Sequence, residues 1–198
     1  MTRRVGGRSQ SRTMLILTEG ESEVRYFGMF KGRDHHVAIV PIVAKRHDSK
    51  NLVSFCASKV AERGIDTDNG DTISVVIDMD QRSLSEIEEI ESQCRENGFD
   101  LYLSNLSFEY WLILHFGNWT KASTQDELEE ALSKHLGCRY VKSEGINSKI
   151  EGSNIDSAIE HAEARISDRL KRNEICSGLD PSTTVHFLVK DIRVKIGQ

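Results

Sequence analysis

Residues 13–20 read Thr13-Met14-Leu15-Ile16-Leu17-Thr18-Glu19-Gly20. The apolar run is too short for a helix and lacks the alternation of a half-exposed strand, so it reads as a strand buried on both faces of a parallel sheet. It stops at Glu19-Gly20. Val24, Phe27 and Phe30 then recur at spacings of three, the one-faced pattern of a short helix lying on that sheet.

Outward from this unit the same alternation repeats. Residues 37–44, Val-Ala-Ile-Val-Pro-Ile-Val-Ala, form a second strand, and Pro41 pushes it toward an edge or a bulge because proline has no N–H for the ladder. Leu52, Phe55, Cys56, Lys59 and Val60 predict a helix; Asp66 to Asp71, with Gly64 and Gly70, predict a loop. Residues 72–77, Thr-Ile-Ser-Val-Val-Ile, are a third buried strand running into Asp78-Met79-Asp80. Ser83-x-x-Glu86 matches a capping box ahead of Leu84, Ile87, Ile90 and Cys94, and residues 99–104 give a fourth strand. The order β-α-β-α-β-α-β is that of an α/β domain with a parallel four-stranded sheet flanked by helices.

The second half reads as helical. Phe108 to Phe116 is apolar almost all round, hence a buried helix, and Thr124-x-x-Glu127 opens another that ends near Gly137. After the polar stretch 143–154, Ala158, Ile159, Ala162, Ile166 and Leu170 trace one face of a long helix. A last helix after Pro181 carries Val185, Leu188, Val189 and Ile192. The expected organisation is a flexible basic arm (1–12), an α/β core (13–120) and a C-terminal helical extension packed on the core (121–198).

The chain has 198 residues, enough for one core without staples, and no apolar run near the ~20 residues of a membrane helix. Cys56, Cys94, Cys138 and Cys176 lie too far apart for a C-x-x-C pair, so a reducing, cytoplasmic setting is expected, with no membrane partner. A net charge of −5 argues against a protein that coats nucleic acid. Arg3, Arg4, Arg8 and Arg12 concentrate positive charge in the leader, an arm able to touch phosphates, although a solvated chain end is the favoured explanation.

The chemistry concentrates where strands end. Glu19 terminates the first strand and Asp78 and Asp80 the third, at the edge where open parallel sheets bind ligands. Glu23, one helical turn after Glu19, is placed to face the same crevice. Such carboxylates repel unless a cation sits among them or some take up protons. Oxygen-only donors select Mg2+ or Mn2+ over zinc. Glu19, Asp78 and Asp80 are therefore candidate metal ligands, Glu19 alternatively a general acid/base, and Glu23 a further candidate catalytic residue. Glu109, in an apolar helix, needs a cation, a metal or a helix N-terminus. His115 is a candidate proton donor, with a satisfied core or edge histidine at least as good a reading. Lys45, Arg46 and His47 follow the second strand at the same edge, where they could hold a substrate phosphate, an ordinary polar loop being an equal reading. His186 reads as structural, and the basic end of the long helix follows from dipole preference. An aspartyl-phosphate phosphatase reading would need a hydroxyl two residues after Asp80, where Arg82 stands, and would leave Glu19 and Glu23 unexplained.

Leu15-Ile16-Leu17-Thr18-Glu19-Gly20 with Glu23, and Val76-Ile77-Asp78-Met79-Asp80, resemble the Toprim domain. Ser107-Phe108-Glu109-Tyr110-Trp111-Leu112-Ile113-Leu114-His115-Phe116 and Pro181-Ser182-Thr183-Thr184-Val185-His186-Phe187-Leu188-Val189 resemble the RloB family. The resemblance implies a stand-alone Toprim-like fold, Mg2+-dependent nuclease activity on RNA, tRNA included, and a place in prokaryotic defence against phage. Nucleic acid and a defence-system partner protein are the implied partners, and a non-catalytic metal- or nucleic-acid-binding module is the alternative. Leu106 stands where that family's pattern has proline, and Gln81 where a third acid often follows the Asp-x-Asp pair.

Overall fold

The computed structural model describes residues 12–44, 49–79, 82–144, 149–150, 152–171 and 181–198. The basic-arm residues Arg3, Arg4 and Arg8, the candidate ligand Asp80 and the candidate phosphate-binding residues Lys45, Arg46 and His47 lie outside them.

In chain order the elements are β1 (Arg12–Thr18), α1 (Glu21–Gly28), β2 (Val37–Val43), α2 (Ser49–Arg63), β3 (Thr72–Asp78), α3 (Leu84–Glu96), β4 (Asp100–Asn105), α4 (Phe108–Ile113), α5 (Gln125–Leu136), α6 (Gly152–Lys171), β5 (Ser182–Thr183) and α7 (Val185–Ile196). Arg12, read as part of the arm, begins β1 instead. The sheet runs β2-β1-β3-β4-β5; its first four strands are parallel, as the alternation predicts. It has five strands, not four. β5 pairs antiparallel with the end of β4, Ser104 opposite Thr183, and a Ser104–Thr183 hydroxyl contact of 2.9 Å reinforces the pairing. Two residues carry no periodicity, so the sequence pattern could not reveal this strand.

β1 sits between β2 and β3, and its side chains divide between two cores. Met14 and Ile16 join Tyr26 and Phe27 of α1, Trp111 of α4, Leu128 of α5, Ala158 of α6 and Leu188 of α7. Leu15 and Leu17 join Leu52 and Cys56 of α2 and Ile87 and Ile90 of α3 on the opposite face. The helices of the C-terminal extension thus share a core with β1 and α1. The alternation of the pleat produces this division, since successive side chains point to opposite faces.

Local signals set the element ends. The Ser83 and Thr124 capping boxes are both formed, and Gly137 closes α5 in the left-handed conformation at φ 72°. Pro41 lies in β2, an edge strand, opposite Ile16. Because the Ala44 N–H reaches back to the Thr18 carbonyl (2.8 Å), strand alternation turns the Pro41 nitrogen away from β1. The Asn105–Leu106 peptide that follows β4 is cis. No helix among the described residues is long and apolar enough to cross a membrane.

Phe27 is fully buried against Tyr26 and Phe108. Phe27→Ala is expected to lower unfolding free energy by about 3–5 kcal/mol, read from the urea midpoint at unchanged slope.

Candidate functional site

The strand order places a topological switch between β1 and β3. The chain leaves β1 for α1 on one face and leaves β3 for α3 on the other, so the connections diverge and leave a crevice at the carboxyl ends of the two strands. Glu19 and Asp78 stand at that crevice.

Both ends are pinned. The Thr18 hydroxyl lies 3.2 Å from the carbonyls of Gly20 and Ile42, tying the end of β1 to β2 and to the turn that follows. The Asp78 backbone N–H donates to Glu19 Oε2 at 3.0 Å, tying β1 to β3. Arg82, at the entry to α3, then clasps Glu19: Nη2 meets Oε1 at 2.5 Å and Nη1 meets Oε2 at 3.1 Å. Nη1 also donates to the Asp78 carbonyl at 2.6 Å. The Arg82 and Glu19 side chains are only 11% and 10% exposed, a two-point ion pair largely shielded from water.

Glu23 is 3% exposed. One carboxylate oxygen accepts from the Gly20 N–H at 3.1 Å, the other from the Ser22 hydroxyl at 2.8 Å. Burial pushes its carboxyl above the ordinary glutamate value; the hydrogen bonds oppose this and the negative charge of Glu109 adds to it. Gly20 has an extended backbone, φ −130°, which any residue adopts. Glycine there allows close approach, since a β-carbon would lie 2.7 Å from Glu23 Oε2 and the carboxylate would have to shift.

Glu109, in the first turn of α4, is 1% exposed. Oε1 accepts from the Tyr140 hydroxyl at 3.0 Å and meets Lys142 Nζ at 3.2 Å; Oε2 accepts from the Gln125 amide at 3.0 Å. Burial alone would raise its pKa, but Lys142 and the hydrogen bonds outweigh burial and hold it below the ordinary value. The cation that an apolar helix demands for this carboxylate comes from the segment between α5 and α6. Lys142 itself is half exposed. Burial works against its charge, yet Glu109 first, then Glu129 and Asp78, keep its pKa above the usual lysine value. Lys142 therefore links the Glu109 network to the end of β3.

His115 lies 2% exposed in the core. Its Nδ1 is within 3.0 Å of the Trp111 carbonyl and 3.2 Å of the Leu112 carbonyl, so that nitrogen carries the proton, and Nε2 accepts from the Tyr26 hydroxyl at 3.0 Å. Burial drives its pKa down to about 4. His186 is also buried, with Nδ1 on the Thr183 carbonyl at 3.0 Å.

The structure thus joins Glu19 and Asp78 through Arg82, joins Glu109 to Lys142, holds Glu23 on Gly20 and Ser22, and sets His115 in packing. Among the described residues no group of three or more His, Cys, Asp or Glu side chains forms a metal cage. Sequence reasoning missed Arg82, Tyr140 and Lys142. Only the demand of Glu109 for a cation hinted at one of them.

At the switch point of this α/β sheet the acids are met by cations from outside the sheet, Glu19 by Arg82 and Glu109 by Lys142. The RloB-like protein family model matches residues 14–192, and the chain belongs to that family. Searches of curated proteins and of solved structures each return no match.

The two buried glutamates respond to pH with opposite sign. The depressed Glu109 contributes stability that is full above 4.5 and is lost as pH falls through its lower folded value. The raised Glu23 destabilises when ionised, a penalty relieved as pH falls toward 4.5. In urea titrations, Glu109→Gln is expected to flatten the acid-side loss seen in the wild type. Glu23→Gln is expected to remove a penalty that grows toward neutral pH. Curves parallel to wild type in both variants would contradict the assignment.

Proposed function

We propose that the chain is a Mg2+-dependent nuclease with a Toprim-like core, hydrolysing phosphodiesters of RNA, tRNA included, in prokaryotic defence against phage. The observation that carries this reading lies at the buried-strand ends of the switch point, where the Glu19 carboxylate reaches the Asp78 backbone N–H across adjacent strands at 3.0 Å and so holds the two acidic positions side by side. Hard oxygen donors of this kind suit Mg2+ or Mn2+, which take one or two carboxylates plus waters and phosphate oxygens. The guanidinium on Glu19 marks that position as one that accepts positive charge. Glu19, Asp78 and Asp80 would hold the ion, which when bound polarises a phosphodiester and supplies a hydroxide at neutral pH.

The remaining roles fall to the chain's own groups. Glu23, whose carboxyl burial pushes above the ordinary glutamate value, is the candidate acid/base group at the foot of the crevice. Lys142, anchored by the buried Glu109 and half open to solvent, offers an ammonium to a phosphate oxygen. Lys45, Arg46 and His47 follow β2 at the same edge in sequence and would add charge there. RNA as substrate and the defence setting rest on the family resemblance. The occupied state of Glu19 favours a second reading, a non-catalytic module that binds nucleic acid or a partner protein and regulates it.

The two readings separate in a cleavage assay on end-labelled tRNA, single-stranded RNA and plasmid DNA with Mg2+, Mn2+ or EDTA. Glu19→Ala and Asp80→Ala are each expected to reduce cutting by more than about 100-fold, beyond the 10–100-fold typical of residues that only support a ligand. Binding without cutting, under every ion, would favour the regulatory module.

A further inference from the structure

We infer that Arg82 is the resident counter-ion of Glu19 and that a divalent ion enters this site only by displacing it. The inference rests on the metal-dependent reading above and concerns how that site is loaded.

The geometry leaves little alternative. The two Glu19 oxygens accept three hydrogen bonds: Oε1 from Nη2 of Arg82, and Oε2 from Nη1 of Arg82 and from the Asp78 N–H. The guanidinium is further fixed by the Asp78 carbonyl. Its backbone is held as well, because the Arg82 N–H reaches the Met79 carbonyl at 3.3 Å and Ser83 begins α3 with a complete capping box. A divalent ion on Glu19 would stand beside a fixed positive charge in a crevice from which water is largely shut out, where like charges repel strongly. Ion and guanidinium therefore compete for the same oxygens.

Two consequences follow. Without metal the crevice is already neutralised at Glu19, so the fold does not depend on an ion. Ion affinity of the free protein is weak, since each binding event must break a shielded two-point ion pair. Substrate phosphate adds its own negative charge and gives the released planar guanidinium a pair of anionic oxygens to hold, so ion and substrate enter together.

Mn2+ binding, followed by the electron paramagnetic resonance of the free ion, tests this in the full chain without any substrate. Arg82→Gln is expected to bind Mn2+ at least about tenfold more tightly than wild type. Lys142→Gln removes the same charge, also near Asp78, without freeing Glu19, and is expected to change affinity by less than about threefold. Arg82→Lys, which keeps the charge but loses the fork, should fall between them, and it serves if Arg82→Gln fails to fold by circular dichroism. Equal gains in Arg82→Gln and Lys142→Gln would overturn the exchange and leave a general charge effect. Weaker binding in Arg82→Gln would make Arg82 a support of the ion and overturn it too. Absence of Mn2+ binding at millimolar concentration in every variant would overturn both the exchange and the metal-dependent reading.

Discussion

The burial of β1 on both faces governs what the rest of the molecule can do. From Met14 to Thr18 no side chain reaches water, and Met14 and Ile16 feed one core while Leu15 and Leu17 feed the other. A strand in that position tolerates no charge along its length, so polarity is deferred to the end of the strand. β3 obeys the same constraint, with Ile73 to Ile77 buried and Asp78 following. Because the two strands are parallel neighbours, their charged ends fall on one edge. The acidic crevice is the outlet for charge that the core excludes.

Crowded carboxylates need compensation, and this chain uses three kinds. Glu19 takes a guanidinium, Glu109 takes an ammonium with two neutral hydrogen-bond donors, and Glu23 is pushed by burial toward holding a proton. The compensating groups come from different parts of the chain: Arg82 from the start of α3, Gln125 from the start of α5, Tyr140 and Lys142 from the segment after α5. Removing one partner of such a shielded pair leaves an isolated charge, which costs on the order of 3–5 kcal/mol. Site and fold are consequently hard to alter separately.

The four parallel strands, the capped starts of α3 and α5 and the edge position of Pro41 were legible because each is written in a few neighbouring residues. The acids at the strand ends were legible for the same reason. β5 was not, since Ser182 and Thr183 are a strand only by virtue of Ser104 and Asn105 opposite them. Arg82 and Lys142 escaped because their partners are distant in sequence: spacing shows that Glu109 needs a cation but not which one answers. For His115, its place in a buried apolar helix left a proton donor and a satisfied core histidine both open, and the Trp111 and Leu112 carbonyls with the Tyr26 hydroxyl hold the ring as the second reading expects.

Pro41 has an effect beyond the fold. β2 is the outer strand of the sheet, and an outer strand offers a row of open donors and acceptors to any extended chain that drifts past. Halfway along β2 that row has a gap, because the nitrogen facing away from β1 carries no hydrogen. A foreign strand laid against it would find no N–H there for one of its own carbonyls. The same residue that relegates β2 to the rim therefore guards the rim against sheet-to-sheet growth between copies of the protein at high concentration.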